Sequence, residues 1–319
     1  MHLKAFVKRL LPHLPRWAQQ SIRKRAEQQR LAQHAARKQR TQVLLADVIA
    51  QLEGFEFGSD VIVHGSISNI GKMDKPVPAL VEALLHLVDT RHHTLLVPAL
   101  PYNTTMKEYL DGLANFDLRS AKNAMGAISN LVMAMPGAMR SLHPTHSVVA
   151  LGPQALAYTQ DHQRDSTPFG PHSPYAKLTA RRGKILLVGV GLNSVTCFHV
   201  YEDLLGADCP VQVYLPNSYT VPCIDAQGQS LSINTVAHNP QVSAVRDCER
   251  ARPWLEQAGA IRSVPLGEAE LSLIDAWLFT RTLLERLKQG ESIYGKVRLK
   301  PEQIAAIDRR LRELDPSKA

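Results

Sequence analysis

The segment from Ile185 to Asp203, ILLVGVGLNSVTCFHVYED, joins an apolar run, two glycines and a histidine followed closely by acidic residues. The run predicts a buried strand, GVG a tight turn, and the following residues a helix. Helical residues three apart share a face, so Thr196, His199 and Glu202 would lie together. Histidine titrates near neutral pH and suits a general base, with Glu202 or Asp203 fixing its tautomer. The segment therefore predicts proton transfer at His199.

Two other interpretations of this segment are weaker. Cys197 lies close to His199 in sequence. However, consecutive residues on a helix point about 100° apart, so residues this close in sequence do not face each other. A Cys-His acyl-enzyme mechanism is therefore disfavoured. GVGLNS invites a dinucleotide interpretation, yet Ser194 stands where the G-x-G-x-x-G pattern has its third glycine.

Three upstream segments accompany the histidine segment in a fixed order. They are VHGSISNIG (Val63 to Gly71), RSLHPTHSVVALG (Arg140 to Gly152) and TPFGPHSPYAKL (Thr167 to Leu178). Together with the Thr-x-x-His-x-x-Glu pattern that begins at Thr196, they resemble the aminoglycoside 3-N-acetyltransferase family. Enzymes of that family move an acetyl group from acetyl-CoA to an amine. The resemblance covers roughly residues 55 to 285.

The resemblance implies a fold, a co-substrate and a set of site residues. The fold would be α/β with three α/β/α layers around a mixed sheet, and the co-substrate would be acetyl-CoA. His199 would be the general base, Glu202 would match the family pattern, and Thr196 or backbone amides would support the oxyanion. The residues that the resemblance places beside acetyl-CoA are Ser66, Ser68, Gly71, Arg140, Ser141 and His143.

The chain departs from the family pattern downstream of the histidine. Residues 239–259 read NPQVSAVRDCERARPWLEQAG, without the expected Phe-x-x-Ile-Glu wording, and Glu249 does not align with the missing glutamate. The acid partner of His199 therefore stays open, and an acceptor other than a standard aminoglycoside is favoured. His143 and His146 in HPTH have no third ligand at a fitting spacing, so no metal is expected.

Positive charge is concentrated at the N-terminus. Residues 1–40 hold 11 of the 37 Lys and Arg and one of the 29 acids, Glu27, which leaves 26 basic and 28 acidic residues in the remainder. The basicity thus belongs to an extension, whose apolar residues recur at spacings of three and four (Phe6, Val7, Leu10, Leu14 and Trp17). Residues 1–40 could lie on an anionic membrane surface or pack on the body or a partner subunit. Nucleic acid is disfavoured because no recognition motif accompanies the charge.

The pattern divides the chain into three parts. Residues 1–53 predict a basic helical extension, residues 54–290 an acetyl-CoA-dependent N-acetyltransferase domain, and residues 291–319 a charged helical tail. Alternating strand and helix patterns in the central part predict an α/β layered domain. Within it, the sequence predicts helices over 76–89, 123–135 and 268–288, and strands at TLLVPAL, SVVALG and VQVYLP.

Composition favours a cytoplasmic location. No apolar run approaches the roughly 18 residues that would span a bilayer, and the N-terminus lacks a continuous secretory core. The four cysteines have no paired spacing and are expected to be reduced thiols. A peripheral position at the inner membrane face stays open through the basic extension.

These features predict an N-acetyltransferase for an amine of an amino-sugar-containing acceptor. By resemblance the acceptor would be the 3-amino group of an aminoglycoside, and the activity would confer antibiotic resistance. A second hypothesis is an amino sugar of surface polysaccharide biosynthesis, which would suit the basic extension. A third is a CoA- or sugar-binding protein on the same fold. The oligomeric state stays open.

Overall fold

The computed structural model describes residues 16–314 of the 319-residue chain. Its strands are β1 (Gln42–Val43), β2 (Val61–Gly65), β3 (Lys72–Met73), β4 (Leu95–Pro98), β5 (Phe116–Asp117), β6 (Met139–Arg140), β7 (Val148–Leu151), β8 (Lys184–Val188), β9 (Tyr214–Ile224), β10 (Ser230–His238), β11 (Ile261–Leu266), β12 (Ala269–Asp275), β13 (Glu291–Ser292) and β14 (Gly295–Lys296). Its α-helices are α1 (Arg16–Arg40), α2 (Leu45–Glu53), α3 (Val77–Leu87), α4 (Met106–Asp111), α5 (Ala127–Met133), α6 (Ala155–Thr159), α7 (Pro174–Ala180), α8 (Val200–Leu205), α9 (Pro240–Val245), α10 (Arg252–Gln257), α11 (Ala276–Lys288) and α12 (Pro301–Glu313).

A seven-stranded mixed sheet forms the centre, in the order β11-β12-β8-β2-β4-β7-β6. The three central strands β8, β2 and β4 are parallel, and the flanking strands pair antiparallel to their neighbours. Parallel strands end at a common edge of a sheet, so β8, β2 and β4 deliver their following loops to one side of the molecule.

Both faces of this sheet are covered by helices. Alternate strand residues point to opposite faces, so Ile62 and Ile185 join one core and Val61 and Leu186 the other. Helices α2, α3 and α5 pack on the second face, and α6, α7, α8, α10, α11 and α12 on the first. The central strands are therefore continuously apolar. The predicted three-layer α/β/α architecture is confirmed.

The two ends of the described chain join these cores. Residues 1–15, which include most of the predicted apolar stripe, lie outside the described residues. Helix α1 follows, and the side chain of Arg40 donates to the Glu268 carboxylate. Val48 and Leu52 of α2 are fully buried in one core, and Ile307 of α12 in the other. Residues 45–53 and 301–313 therefore share cores with the central part of the chain.

Three predicted elements need correction. The predicted helix over residues 268–288 begins as strand β12 and becomes helical only at Ala276. Gly267, with φ +56°, closes a hairpin that pairs this stretch with β11, and the AELSLID pattern alternates as a strand does. The predicted helix over residues 123–135 begins only at Ala127. The VQVYLP segment opens a long hairpin, β9–β10, rather than one short strand.

The hairpin β9–β10 forms a separate small unit beside the main sheet. It pairs with β5 in a three-stranded sheet and packs against α4 around Phe116, Val221 and Ile233. Its register shifts between Val236 and His238, a β-bulge that changes the direction of the strand end. The end of this hairpin faces the loops that follow the central parallel strands.

Candidate active site

A cleft of about 1320 Å³ lies where the central strands end. Residues within 100–112, after β4, form one wall, and residues within 238–246 form the other. Residues 193–196 and His199, after β8, form the floor. In open α/β sheets, ligands bind in the crevice at the carboxyl ends of the parallel strands, and this cleft has that position.

The turn after β8 is held from two sides. Gly189 has φ +68°, and a Cβ there would lie 2.7 Å from the Ser66 backbone oxygen, so only glycine fits. Glu249 Oε1 accepts a hydrogen bond from the Leu192 backbone N–H at 2.7 Å. Asn193 Oδ1 accepts from the Cys248 backbone N–H at 3.1 Å. The turn is thereby joined to residues 248–249, which sequence analysis left unassigned.

His199 and Glu202 form a buried pair on the floor of the cleft. A 3-10 helix, Thr196–His199, leads into α8, so the predicted continuous helix is wound more tightly at its start. His199 Nδ1 lies 2.6 Å from Glu202 Oε2, and the Tyr294 hydroxyl donates to Glu202 Oε1 at 2.8 Å. His199 is 4% exposed and Glu202 1%. The structure therefore brings together this predicted pair.

The second nitrogen of the imidazole contacts an arginine. Arg246 NH1 lies 2.5 Å from His199 Nε2, and a guanidinium can only donate. Burial and the Arg246 charge lower the pKa of His199 well below its usual range, so the ring is neutral. Its partners then assign the tautomer: Nδ1–H donates to Glu202, and the Nε2 lone pair accepts from Arg246.

The acids near His199 differ in their partners. Burial raises the pKa of Glu202 to about 7, while the Tyr294 hydroxyl and the Arg246 charge oppose that rise. Asp203 instead accepts from the Tyr214 hydroxyl at 2.8 Å and from the Phe169 backbone N–H at 3.1 Å. In this structure the acid partner of His199 is therefore Glu202, whereas Asp203 ties α8 to its neighbours.

A cluster of rings surrounds His199. The His238 ring centroid lies 4.2 Å from that of His199, and the Phe169 ring lies 4.9 Å away. His238 also stacks on Tyr214 at 5.0 Å, and His146 lies 5.8 Å from His238. Burial lowers the pKa of His146 and His238 well below the usual value, so these imidazoles are neutral. The floor of the cleft is thus aromatic and largely uncharged.

Thr196 lines the cleft beside His199. Its buried Oγ1 lies near the Tyr175 hydroxyl, and neither hydroxyl has another hydrogen-bond partner among residues 16–314. Cys197 is 1% exposed, and burial raises the pKa of its thiol to about 12. A thiolate nucleophile at Cys197 is therefore absent near neutral pH.

The first predicted acetyl-CoA segment lies behind the turn rather than on the cleft wall. Ser66 Oγ and Ser68 Oγ are 3.3 Å apart, and neither residue lines the large cleft. Gly71 has φ +128°, and a Cβ there would lie 2.7 Å from the Thr41 backbone oxygen. This glycine is explained by the close approach of the chain beside β1.

The second predicted acetyl-CoA segment is also interior. Arg140 donates to the Ala99 carbonyl at 2.7 Å and to the Ala121 carbonyl at 2.6 Å. Ser141 and His143 are both 0% exposed. Ser141 Oγ accepts from the Val148 N–H, and His143 Nδ1 accepts from the His146 N–H. These residues fix the loops behind the cleft and do not line it.

Two residues that contact the His199 ring, Arg246 and His238, were not predicted from the sequence. Arg246 is 47 residues away in sequence, and its position depends on the β9–β10 hairpin returning the chain to the cleft. No spacing in the sequence links the two residues. His238 depends on the same hairpin and its bulge. The alternation of polar and apolar residues within residues 214–238 was the sequence signal that could have predicted this hairpin.

Residues 16–314 contain no group of three or more His, Cys, Asp or Glu arranged to hold a metal ion. Over the same range, no helix has both the length and the apolar character needed to cross a membrane.

The fold and the site together define an α/β protein with a buried Glu-His pair at the floor of a ligand-sized cleft. Residues 62–288 match the family model described as aminoglycoside 3-N-acetyltransferase. The chain belongs to this family of acyltransferases, as its sequence motifs predicted.

Individual relatives agree with this assignment. Aminoglycoside N(3)-acetyltransferase IX of Micromonospora chalcea is 34% identical over 164 residues, which cover 47% of this chain and 58% of that protein. The solved structure of AAC-VIa bound to Sisomicin matches with a TM-score of 0.61 at 25% identity, and the match covers 77% of this chain and 97% of that one. AAC-IIIb binary with CoASH has a TM-score of 0.63 at 22% identity, with coverages of 78% and 97%, and supports the fold.

Proposed function

We propose that this protein transfers an acetyl group from acetyl-CoA to an amine of an amino-sugar-containing acceptor, with His199 as general base. The observation that carries the proposal is the Glu202–His199 pair at the cleft, in which Nδ1 contacts Glu202 and Nε2 contacts Arg246, another residue of the cleft lining. A neutral imidazole with its proton on Nδ1 has the lone pair on Nε2 that proton removal requires. The carboxylate of Glu202 holds that tautomer and would stabilise the imidazolium.

The reaction follows from this geometry. The acceptor amine replaces Arg246 as the donor to His199 Nε2 and attacks the thioester carbonyl carbon. The new C–N bond forms as Nε2 takes a proton from the nitrogen. The C–S bond then breaks, and the proton on His199 passes to the departing CoA sulfur. Atoms and charge balance without a further reactant.

Support for the developing oxyanion is proposed to come from Thr196 or from backbone N–H groups of the turn at residues 192–196. Thr196 lines the cleft beside His199, and reorientation of its hydroxyl away from Tyr175 would supply a donor. Acetyl-CoA would lie in the cleft, with Ser66, Ser68 and Gly71 shaping the turn under it.

We propose that the second predicted segment positions the cleft wall. Arg140 holds the Ala99 carbonyl just before Leu100, which lines the cleft. His143 and Ser141 lie deeper, and His143 Nε2 is 3.5 Å from the Thr235 hydroxyl of the hairpin. Their proposed role is to hold wall and hairpin in register rather than to contact acetyl-CoA.

Aminoglycosides are the first acceptors to test, because the relative of Micromonospora chalcea is named for them and AAC-VIa is described bound to sisomicin. The chain spans 58% of the length of that relative. The reaction places the protein where acetyl-CoA is available, and we propose the cytoplasm. Helix α1 carries eight Lys and Arg against Glu27, so contact with an anionic surface stays a prediction.

The test is CoA release from acetyl-CoA, screened over aminoglycosides and simple amino sugars. His199→Ala is expected to lower kcat by roughly 10²- to 10⁴-fold. Calorimetric binding of acetyl-CoA should be nearly unchanged. His92→Ala is the matched control, because His92 is an exposed histidine that contacts Asp89, which is also on the surface.

Two outcomes would reject the proposal. Full turnover in His199→Ala would remove the assigned base. Loss of acetyl-CoA binding or of cooperative unfolding in that variant alone would make the histidine structural. Turnover by the wild-type chain on any acceptor, lost in His199→Ala and kept in His92→Ala, is the expected result.

A further inference from the structure

Arg246 lines the cleft and has N–H donors without a hydrogen-bond partner among the described residues. Its guanidinium carries five N–H donors, and its hydrogen bond within residues 16–314 is to one imidazole nitrogen, His199 Nε2. No carboxylate of the described residues lies within 4.0 Å of its nitrogens, whereas Arg252 nearby pairs with Glu249 and Glu270. Arg246 also lines the cleft. Its remaining donors can therefore meet a bound molecule.

The other charged groups of the cleft wall, among the described residues, do not pair directly with Arg246. Lys107 and Asp111 pair with each other at 2.5 Å, and the Tyr219 hydroxyl also donates to Asp111. Glu108 closes the capping box of α4 with Thr105. Glu202 lies behind the imidazole and contacts His199 rather than Arg246. Arg246 is thus a cation beside the base that no carboxylate of the described residues contacts directly.

We propose that Arg246 binds an anionic group of the acceptor and that this pairing frees His199 Nε2. The substrate class is an amino sugar that carries a phosphate or carboxylate close to its reactive amine. This inference rests on the proposed role of His199 as base. Guanidinium forks pair with phosphate and carboxylate through two parallel hydrogen bonds, which a single contact to a neutral imidazole does not match.

The geometry also limits where the anion stands on the acceptor. Arg246 NH1 and His199 Nε2 are 2.5 Å apart, and the anion and the amine would take their places as partners. Because the anion would pair with Arg246 and the amine with the adjacent His199, the proposal places the two groups on neighbouring carbons of one sugar ring. Glucosamine 1-phosphate meets this condition, because its amine is on C2. Glucosamine 6-phosphate places the phosphate on the far side of the ring.

Arg246 then has two opposite effects on turnover, depending on whether the acceptor carries an anion. Without an acceptor anion, the guanidinium stays on Nε2 and blocks the base. With the anion, it positions the acceptor. An acceptor that lacks the anion must break the Arg246–His199 hydrogen bond without compensation, which is expected to lower kcat/KM roughly 10- to 100-fold.

The experiment compares glucosamine, glucosamine 1-phosphate and glucosamine 6-phosphate as acceptors in wild type and Arg246→Met. Wild type is expected to prefer the 1-phosphate over glucosamine roughly 10- to 100-fold. In Arg246→Met the preference should fall to about 1, and turnover of glucosamine should rise, since the blocking donor is gone. Arg250→Met is the control, because Arg250 is exposed and does not line the cleft.

Other roles of Arg246 would give different results, and each would overturn the inference. Stabilisation of the oxyanion would lower kcat on all three acceptors equally. A contact with a phosphate of acetyl-CoA would raise the KM for acetyl-CoA and leave the acceptor preference unchanged. Absence of turnover on every amine, aminoglycosides included, would instead reject the proposed function itself.

A binding measurement keeps the inference testable without turnover. Inorganic phosphate added to protein labelled with ¹⁵N-histidine is expected to shift the His199 Nε2 resonance as Arg246 leaves it. The shift should persist in Arg250→Met and vanish in Arg246→Met, with both variants checked for wild-type thermal unfolding. Absence of a shift in wild type at saturating phosphate would contradict the inference.

Discussion

The two sides of the His199 imidazole differ in how completely their polar groups are satisfied. Behind the ring, Glu202 has partners on both oxygens, His199 on one and Tyr294 on the other. Across the cleft, Arg246 uses one contact to the ring, and the buried Nε2 of His238 has no partner among the described residues. The residues behind the ring, His199, Glu202 and Tyr294, form a hydrogen-bonded framework. The opposite side keeps hydrogen-bonding groups that a ligand could use.

This difference implies that proton transfer and acceptor selectivity depend on different sides of the site. A buried, fully hydrogen-bonded pair keeps its geometry whichever acceptor is present, because leaving any buried member unpaired is costly. The opposite wall comes from the hairpin and α9, outside the main sheet, where an altered sequence would leave the central cores intact. The proton chemistry is therefore expected to resist changes to the wall, and acceptor preference to follow them.

The largest effect is expected at Glu202→Gln. An amide –NH₂ facing His199 Nδ1 would move the ring proton to Nε2 and remove the lone pair that acts as base. Turnover should fall roughly 10²- to 10⁴-fold with acetyl-CoA binding retained. Steady-state kinetics measure the turnover, and calorimetry measures the binding of acetyl-CoA. Glu108→Gln, on the opposite wall, is the matched carboxylate control and should not approach this loss.

The same variant tests the electrostatics through stability. Burial raises the pKa of Glu202 in the folded protein from 4.5 to about 7, so ionisation disfavours the folded state as pH rises through that window. Glu202→Gln removes this dependence. Its melting temperature relative to wild type should therefore increase between about pH 5 and pH 8. A relative decrease over that range would mean that ionised Glu202 stabilises the fold.

The next effect concerns the turn that connects framework and cleft. Gly189 and Gly259 have nearly equal φ values, +68° and +67°, but a Cβ at Gly259 meets nothing within 4 Å. Gly259→Ala should therefore cost only the left-handed strain, about 1–2 kcal/mol. Gly189→Ala adds a clash with the Ser66 backbone oxygen and should cost about 1–3 kcal/mol more. Denaturant unfolding compares the two, and equal losses would show that the turn yields.

A smaller effect is expected in the pH dependence of wild-type turnover. His199 is neutral over the working range because burial lowers its pKa, so the controlling group is Glu202. Activity needs the carboxylate and should rise with pH through about 7, falling roughly tenfold at one pH unit below that value. Tyr294→Phe removes a donor to the carboxylate and should move the midpoint upward. A midpoint that does not move would exclude Glu202 as the titrating group.

The sequence predicted the framework side of the site well and the opposite wall poorly. Thr196, His199 and Glu202 lie within seven residues, so local helical geometry alone brings them together. The parallel strands were also predictable from local sequence, because each is a short continuous apolar run. Arg246 and His238 are near His199 only because a long hairpin with a bulge returns to the cleft. Contacts between residues far apart in the chain produce little periodicity in the sequence from which they could be predicted.

The interior placement of Arg140, Ser141 and His143 has a related cause. A motif shows that residues accompany a site, but burial decides whether they touch a ligand or hold the parts that do. The backbone carbonyls of Ala99, Ala121 and Lys122 accept from the Arg140 guanidinium, so its charge is used for loop geometry. Nothing in the local sequence distinguishes that use from a phosphate contact.

The smallest effect is expected at Cys197, which tests whether the framework works by proton transfer alone. Burial raises the pKa of its thiol to about 12, so a thiolate is scarce near neutral pH, and the side chain packs in the core between the sheet and α8. Cys197→Ala should lower kcat by less than about threefold and cost about 1 kcal/mol of stability for the small cavity. Cys248→Ala, another buried thiol, is the matched control for the cavity. A loss of turnover at Cys197 that Cys248→Ala does not share would restore an acyl-enzyme mechanism, which a covalent acetyl adduct in the mass spectrum would then reveal.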